Sequence, residues 1–195
     1  MDRAEQQMWH LNGLMFVYAY LHYLLVHDRV LAGFPPDRVA ETDDARTIKL
    51  VKVVDDMILD FRSDVGLNPT QRRRTLRIAG EIKRKVLATW PREDAEPNEW
   101  LAAIAAHLFC EEHINNGYIR MGRVFDPAMA DRFLDRVEFC RGHCRVIAGY
   151  AAKLVAGEEF THTEQNQIRY WQEYAVTYPE DVRKDFGDIR MYVGF

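Results

Sequence analysis

The sequence predicts an all-α protein: a single-domain bundle of about six helices over residues 1–195, with a central N-terminal helix and an irregular C-terminal tail. Three observations lead there. Apolar residues recur at spacings of three and four through every long segment, the period of one helix face. Between those segments stand recognisable caps and stops. The first segment is apolar on two sides, and such a helix needs neighbours on two sides.

Taken in order, the first helix is expected from about Ala4 to Leu31. Met8, Leu11, Met15, Tyr18, Leu21 and Leu25 form one stripe, and Trp9, Phe16, Tyr20, Tyr23 and Val30 a second beside it. Pro35-Pro36 is expected to end it, because consecutive prolines remove amide donors and bar the helical conformation before them. A second helix should start near Thr42, with Asp43 and Asp44 at the positive end of its dipole, and carry Ile48, Val51, Val54, Ile58 and Phe61 until Gly66. Asn68-Pro69 caps and opens a third, with Leu76, Ala79, Ile82, Val86 and Trp90 inward.

The charged stretch Pro91 to Pro97 reads as a loop inside the domain, with a weak domain boundary as the alternative. A fourth helix is expected from Asn98 to Asn116, stopped by Asn115-Asn116-Gly117. A fifth, opened by Asp126-Pro127, carries Phe133, Val137, Cys140, Cys144, Ile147, Ala151 and Leu154 until Gly157. Thr161 and Glu164 form a capping box for a sixth, which Pro179 should end. Residues 180–195 show no clear period, yet Met191-Tyr192-Val193-Gly194-Phe195 is too apolar to float in water and should dock on its own domain or on a partner.

Composition bounds the function classes. With 48% hydrophobic and 29% charged residues the chain is globular, and a formal net charge of -4 provides no global attraction to nucleic acid or membrane. Any polyanionic partner must be held by a local patch. The three cysteines suit reduced thiols in a cytoplasm. The apolar run Leu14 to Leu21 is too short to cross a bilayer, so no membrane partner is expected. No glycine-rich phosphate loop, nucleophile elbow or Cys-x-x-Cys pair is present, and no cofactor is expected.

Four groups of residues carry chemistry. The third helix presents Arg72, Arg73, Arg74, Arg77, Lys83, Arg84 and Lys85 against the single acid Glu81, a surface suited to a phosphate backbone or an acidic partner, although without interleaved aromatics. Surface ion pairing with the acidic second helix is the structural alternative. With Met191, Tyr192 and Phe195 of the tail, these residues make up the expected partner- or anion-binding surface.

His107, Cys110, Glu111 and His113 on the fourth helix, with His143 on the fifth, form the densest set of metal-capable side chains, the basis of a metal-dependent helical-bundle reading. The row Asp55, Asp56, Asp60 and Asp64 loosely resembles the aspartate motif of helical prenyl-diphosphate enzymes, which hold magnesium against a diphosphate; no second such motif follows.

Arg136 and His143, seven apart on one side of the fifth helix, resemble the arginine-histidine motif of HEPN-type ribonucleases. The resemblance implies RNA cleavage across a dimer. Val137 stands where that motif has a polar residue, and Arg3 and His10 repeat the spacing elsewhere.

Lacking convergent catalytic motifs, the chain reads first as a non-enzymatic interaction protein: an accessory subunit, adaptor or inhibitor. Its expected partner is another protein or a nucleoprotein complex, with nucleic acid reached through the basic helix. The nuclease and the metal-dependent enzyme are the alternatives.

Overall fold

The computed structural model of the chain describes residues 2–36, 44–62, 64–125 and 127–194, and these form an all-helical bundle. Its elements are α1 (Arg3–Leu31), α2 (Ala45–Leu59), α3 (Pro69–Thr89), α4 (Pro97–Phe125), the short α5 (Pro127–Asp131), α6 (Leu134–Val155), α7 (His162–Tyr174) and α8 (Tyr178–Gly194), with a 3-10 turn at Ala175–Thr177. No strand occurs among the described residues.

The doubly apolar α1 runs through the centre, packing on α2, α3, α4 and α8, while α4 holds α6 on its other side. Leu14, Val17, Tyr20, Leu21, Tyr23 and Val26 of α1 lose all contact with solvent, as do Leu101, Ile104 and Leu108 of α4. Each aliphatic side chain buried this way contributes about 1.5–3 kcal/mol. One apolar cluster draws residues from α1, α2, α3, α4, α6, α7 and α8, so the 90–96 connection is a loop over a shared core.

The local signals explain most helix ends. Asn68 accepts from the Gln71 amide at 2.9 Å while Gln71 accepts from the Asn68 amide at 3.0 Å, closing the capping box of α3. Thr161 and Glu164 do the same for α7. Asp44 caps α2 by accepting from Arg46 N; Thr42 and Asp43 lie outside the described residues.

Four expectations are corrected. First, α1 ends at Leu31 as expected, but the stop is not the prolines: Gly33 adopts φ 80, and the Phe34 amide donates back to the Arg29 carbonyl at 2.8 Å, a left-handed glycine closure that the prolines follow. Second, α4 runs through Gly117 to Phe125. A Cβ at Gly117 would collide with Met15, so that glycine is a close-packing position against α1.

Third, the single helix expected from Pro127 is broken at Arg132–Phe133 into α5 and α6. Fourth, Pro179 sits in the first turn of α8, where its missing amide costs nothing, and the expected irregular tail is helical to Gly194. Val182, Phe186, Ile189 and Val193 dock it on its own bundle, and Tyr192 packs edge-on against Trp9, ring centres 5.0 Å apart.

Candidate functional site

Docking α8 beside α3 builds a feature that neither segment has alone. Two clefts, of about 480 Å³ and 220 Å³, lie along the junction. The larger is lined by Arg77 and Lys83 of α3 and Arg190 of α8, with Leu76 and Phe186 beneath; the smaller by Arg72 and Arg73, with Pro69 and Val193. Five cations and no acid line the pair.

Helical spacing explains the sorting of charge. On α3 the residues facing α8 are Arg72, Leu76, Lys83 and their neighbours, whereas Glu81 and Lys85 face α2. There Arg46 of α2 donates to Glu81 through Nε at 2.5 Å and through NH2 at 2.9 Å. Lys85 donates to Asp44 at 2.7 Å, and the Lys85 and Thr47 bonds hold the Asp44 carboxyl well below the usual carboxylate range.

None of the acids of α8 lines either cleft. Asp185 accepts from the Tyr20 hydroxyl at 2.7 Å, Asp188 acts on Tyr118 and Tyr192, and Glu180 takes Arg183. In the smaller cleft Arg72 Nε is buried without a hydrogen-bond partner among the described residues. A buried guanidinium nitrogen lacking an acceptor favours an anion as occupant.

The predicted surface is therefore divided. Arg72, Arg73, Arg77 and Lys83 come together; Arg74 and Arg84 are exposed but line neither cleft. Lys85 is bound to Asp44. In the tail, Met191 is exposed and the half-buried Tyr192 packs on Trp9 and Phe16, docking α8 on the bundle. Phe195 lies outside the described residues. Arg190 was missed at the sequence level, although the four-three-four spacing of Val182, Phe186, Ile189 and Val193 could have placed it on a helix.

The metal-capable set does not converge. His107 is buried, and its Nε2 lies 2.9 Å from Glu111 Oε1; the other Glu111 oxygen takes Arg136 and the Cys140 thiol. Burial opposes ionisation of Glu111, but His107 and Arg136 override it and hold its carboxyl down at about 2. Both Glu111 oxygens are thus engaged by hydrogen bonds within the bundle.

The remaining members of that set diverge. His113 donates through Nδ1 to the Phe109 carbonyl and stacks on His22, with ring centres 5.5 Å apart. Cys110 faces the core, where burial pushes its thiol up, and burial likewise raises Cys140 and Cys144 to about 12, so none is a ready thiolate. Among the described residues no three His, Cys, Asp or Glu side chains are placed to share an ion, so His107, Cys110, Glu111, His113 and His143 are not brought together as one group. Asp55, Asp56, Asp60 and Asp64 are exposed and line none of these clefts.

The chain matches no family model, no curated protein and no solved structure. Function therefore rests on the site.

Arg136 and His143 both flank Phe139, the guanidinium 5.1 Å from the ring centre and the imidazole ring 4.4 Å from it. They are near each other, but Arg136 is committed to Glu111. Among the described residues no helix is long and apolar enough to cross a membrane.

Proposed function

We propose that this is a non-enzymatic interaction protein whose partner is a nucleic acid, held by its sugar-phosphate backbone in the groove between α3 and α8. The observation that carries the reading is the row of cations left without acids: Arg72, Arg73, Arg77, Lys83 and Arg190. From Arg72 to Lys83 the row spans about 17 Å at the helical rise. That length matches about five phosphates along one strand of B-form DNA. The chain's net charge of -4 does not oppose this, because the Debye length at physiological salt is about 8 Å and attraction is decided locally.

The test is binding of a labelled oligonucleotide across a salt series. About five phosphate contacts predict an affinity that falls between roughly 50 and 200 mM salt by about five-hundredfold for a duplex and about a hundredfold for a single strand. No binding at the low end, with capture of an acidic polypeptide instead, would transfer the groove to a protein partner.

A second reading is RNA cleavage through Arg136 and His143, favoured by their position on either side of Phe139. Labelled RNA incubated with the protein checks it: a product lost in His143→Ala would establish the activity, and intact RNA would remove it.

A further inference from the structure

Gly80 and Gly187 stand in the interiors of α3 and α8, where glycine weakens a helix relative to alanine. The protein's own packing requires neither: a Cβ at either position would meet no atom within 4 Å among the described residues. Gly13 and Gly117 differ, because a Cβ there would strike Val193 and Met15. Neither Gly80 nor Gly187 adopts a positive φ, as Gly33, Gly66 and Gly157 do.

The two open glycines line one cleft, Gly80 from its α3 wall and Gly187 from its α8 wall. It is the larger cleft of the basic groove, about 480 Å³. Arg77 and Lys83 stand three residues before and after Gly80, so the three share a face of α3, and Arg190 stands three residues beyond Gly187 on α8. The result is a notch with no side chain at its centre and cations around it. Beneath lie Ala79 and Phe186, each 3% exposed.

This combination of apolar floor and cationic rim selects among anions. An inorganic anion gains nothing from the floor. A base finds little here: Phe186 packs its ring on Tyr20 with centres 4.7 Å apart, and no amide or hydroxyl side chain lines the notch. A sugar-phosphate backbone matches both parts, its sugars presenting C–H edges to the floor and its phosphates meeting the cations. A missing side chain is also what lets a ligand approach the main chain closely.

We infer that the notch between Gly80 and Gly187 seats a sugar of the bound strand and so brings its flanking phosphates to Arg77, Lys83 and Arg190. The inference rests on the function proposed above and adds to it two uncharged contact residues. Filling the notch lifts the strand off the cations while every charge stays in place.

The experiment uses the full chain with Gly80→Leu/Gly187→Leu, which fills the notch, and with the milder Gly80→Ala/Gly187→Ala. Gly142→Ala is the control, since Gly142 of α6 is equally open but lines neither cleft of the groove. Each protein is titrated at low salt with a thymidylate DNA strand of about 12 nucleotides, an abasic strand of the same length and a duplex.

The expected result is that every probe bound by wild type binds the leucine variant at least about tenfold more weakly, the abasic strand losing as much as the thymidylate strand. The alanine variant should melt about 2–4 °C higher per substitution and still bind more weakly than wild type, while Gly142→Ala melts higher and binds as wild type does. Wild-type affinity in both groove variants overturns the seat and leaves the basic groove standing. A loss confined to the thymidylate strand overturns the sugar-phosphate assignment, and an equal loss in Gly142→Ala overturns the seat. A lower melting midpoint in the alanine variant would mean that the fold itself needs these glycines, which also overturns it. Wild type binding none of the probes removes the proposed function and the seat together.

Discussion

The two long faces of α3 differ in one respect: one has its charges answered and the other does not. Toward α2, Glu81 takes Arg46 and Lys85 takes Asp44. Toward α8, Arg72, Arg73, Arg77 and Lys83 meet Arg190, another cation. A neutralised face contributes modestly to holding two helices together. An unanswered face offers its cations to a polyanion, so on the proposed function this difference separates a structural surface from a binding one.

The largest test of that comparison is charge reversal on the open face. Arg77→Glu/Lys83→Glu should weaken oligonucleotide binding by about a hundredfold or more at low salt, because two attractions become repulsions. Titration by anisotropy reads it, and retained affinity would mean the open face is not the site.

Next comes a buried charge that is fully answered. Glu111→Gln leaves Arg136 without its carboxylate and weakens the bond to His107, and should cost about 2–3 kcal/mol in urea unfolding. The Glu111 carboxyl is held down at about 2, below its unfolded value near ~4.3, so its contribution is present above the unfolded value. It is lost as pH falls toward 2.

Asp185 is the converse, a buried acid without an ion pair among the described residues. Burial raises its carboxyl to about 6 against the Tyr20 bond, which pulls it down. The unfolded carboxyl ionises near ~3.9, so the folded chain holds its proton longer and stability falls as pH rises between those values. Asp185→Asn should therefore be more stable than wild type by about 1–2 kcal/mol at neutral pH, with the gap closing toward pH 4. A gap constant with pH would contradict the assignment.

The smallest effect belongs to the answered face of α3. Asp44→Ala removes the α2 cap and the acceptor of Lys85 and should cost about 1 kcal/mol, with oligonucleotide affinity changed by no more than about twofold.

How much of this was legible in the sequence follows from the range of each signal. Asn68 with Gln71 and Thr161 with Glu164 act within one turn, and both caps form as read. Gly117 and Pro179 also look local, but their role is set by what packs on them or follows them: Met15 fills the space at Gly117, and α8 continues past Pro179. Both were read as stops for that reason.

The cations of α3 were visible as a run, but which ones are answered depends on the side α2 and α8 occupy. That is a tertiary fact, as is the divergence of His107, His113 and His143 into three surroundings. The cleft that Phe139 and His143 of α6 form with Tyr170 and Trp171 of α7 was hidden for the same reason, its rings coming from two helices separated by a loop.

The most direct test of the central claim removes equal charge from the two faces. The slope of log affinity against log salt is measured for wild type, for Arg77→Gln/Lys83→Gln and for Arg46→Gln/Lys85→Gln. The account predicts that the first pair lowers the slope by about 1.4 on a single strand or about 1.8 on a duplex, two phosphate contacts, and that the second leaves it unchanged. Equal losses from both pairs, or a loss only from the second, would contradict it.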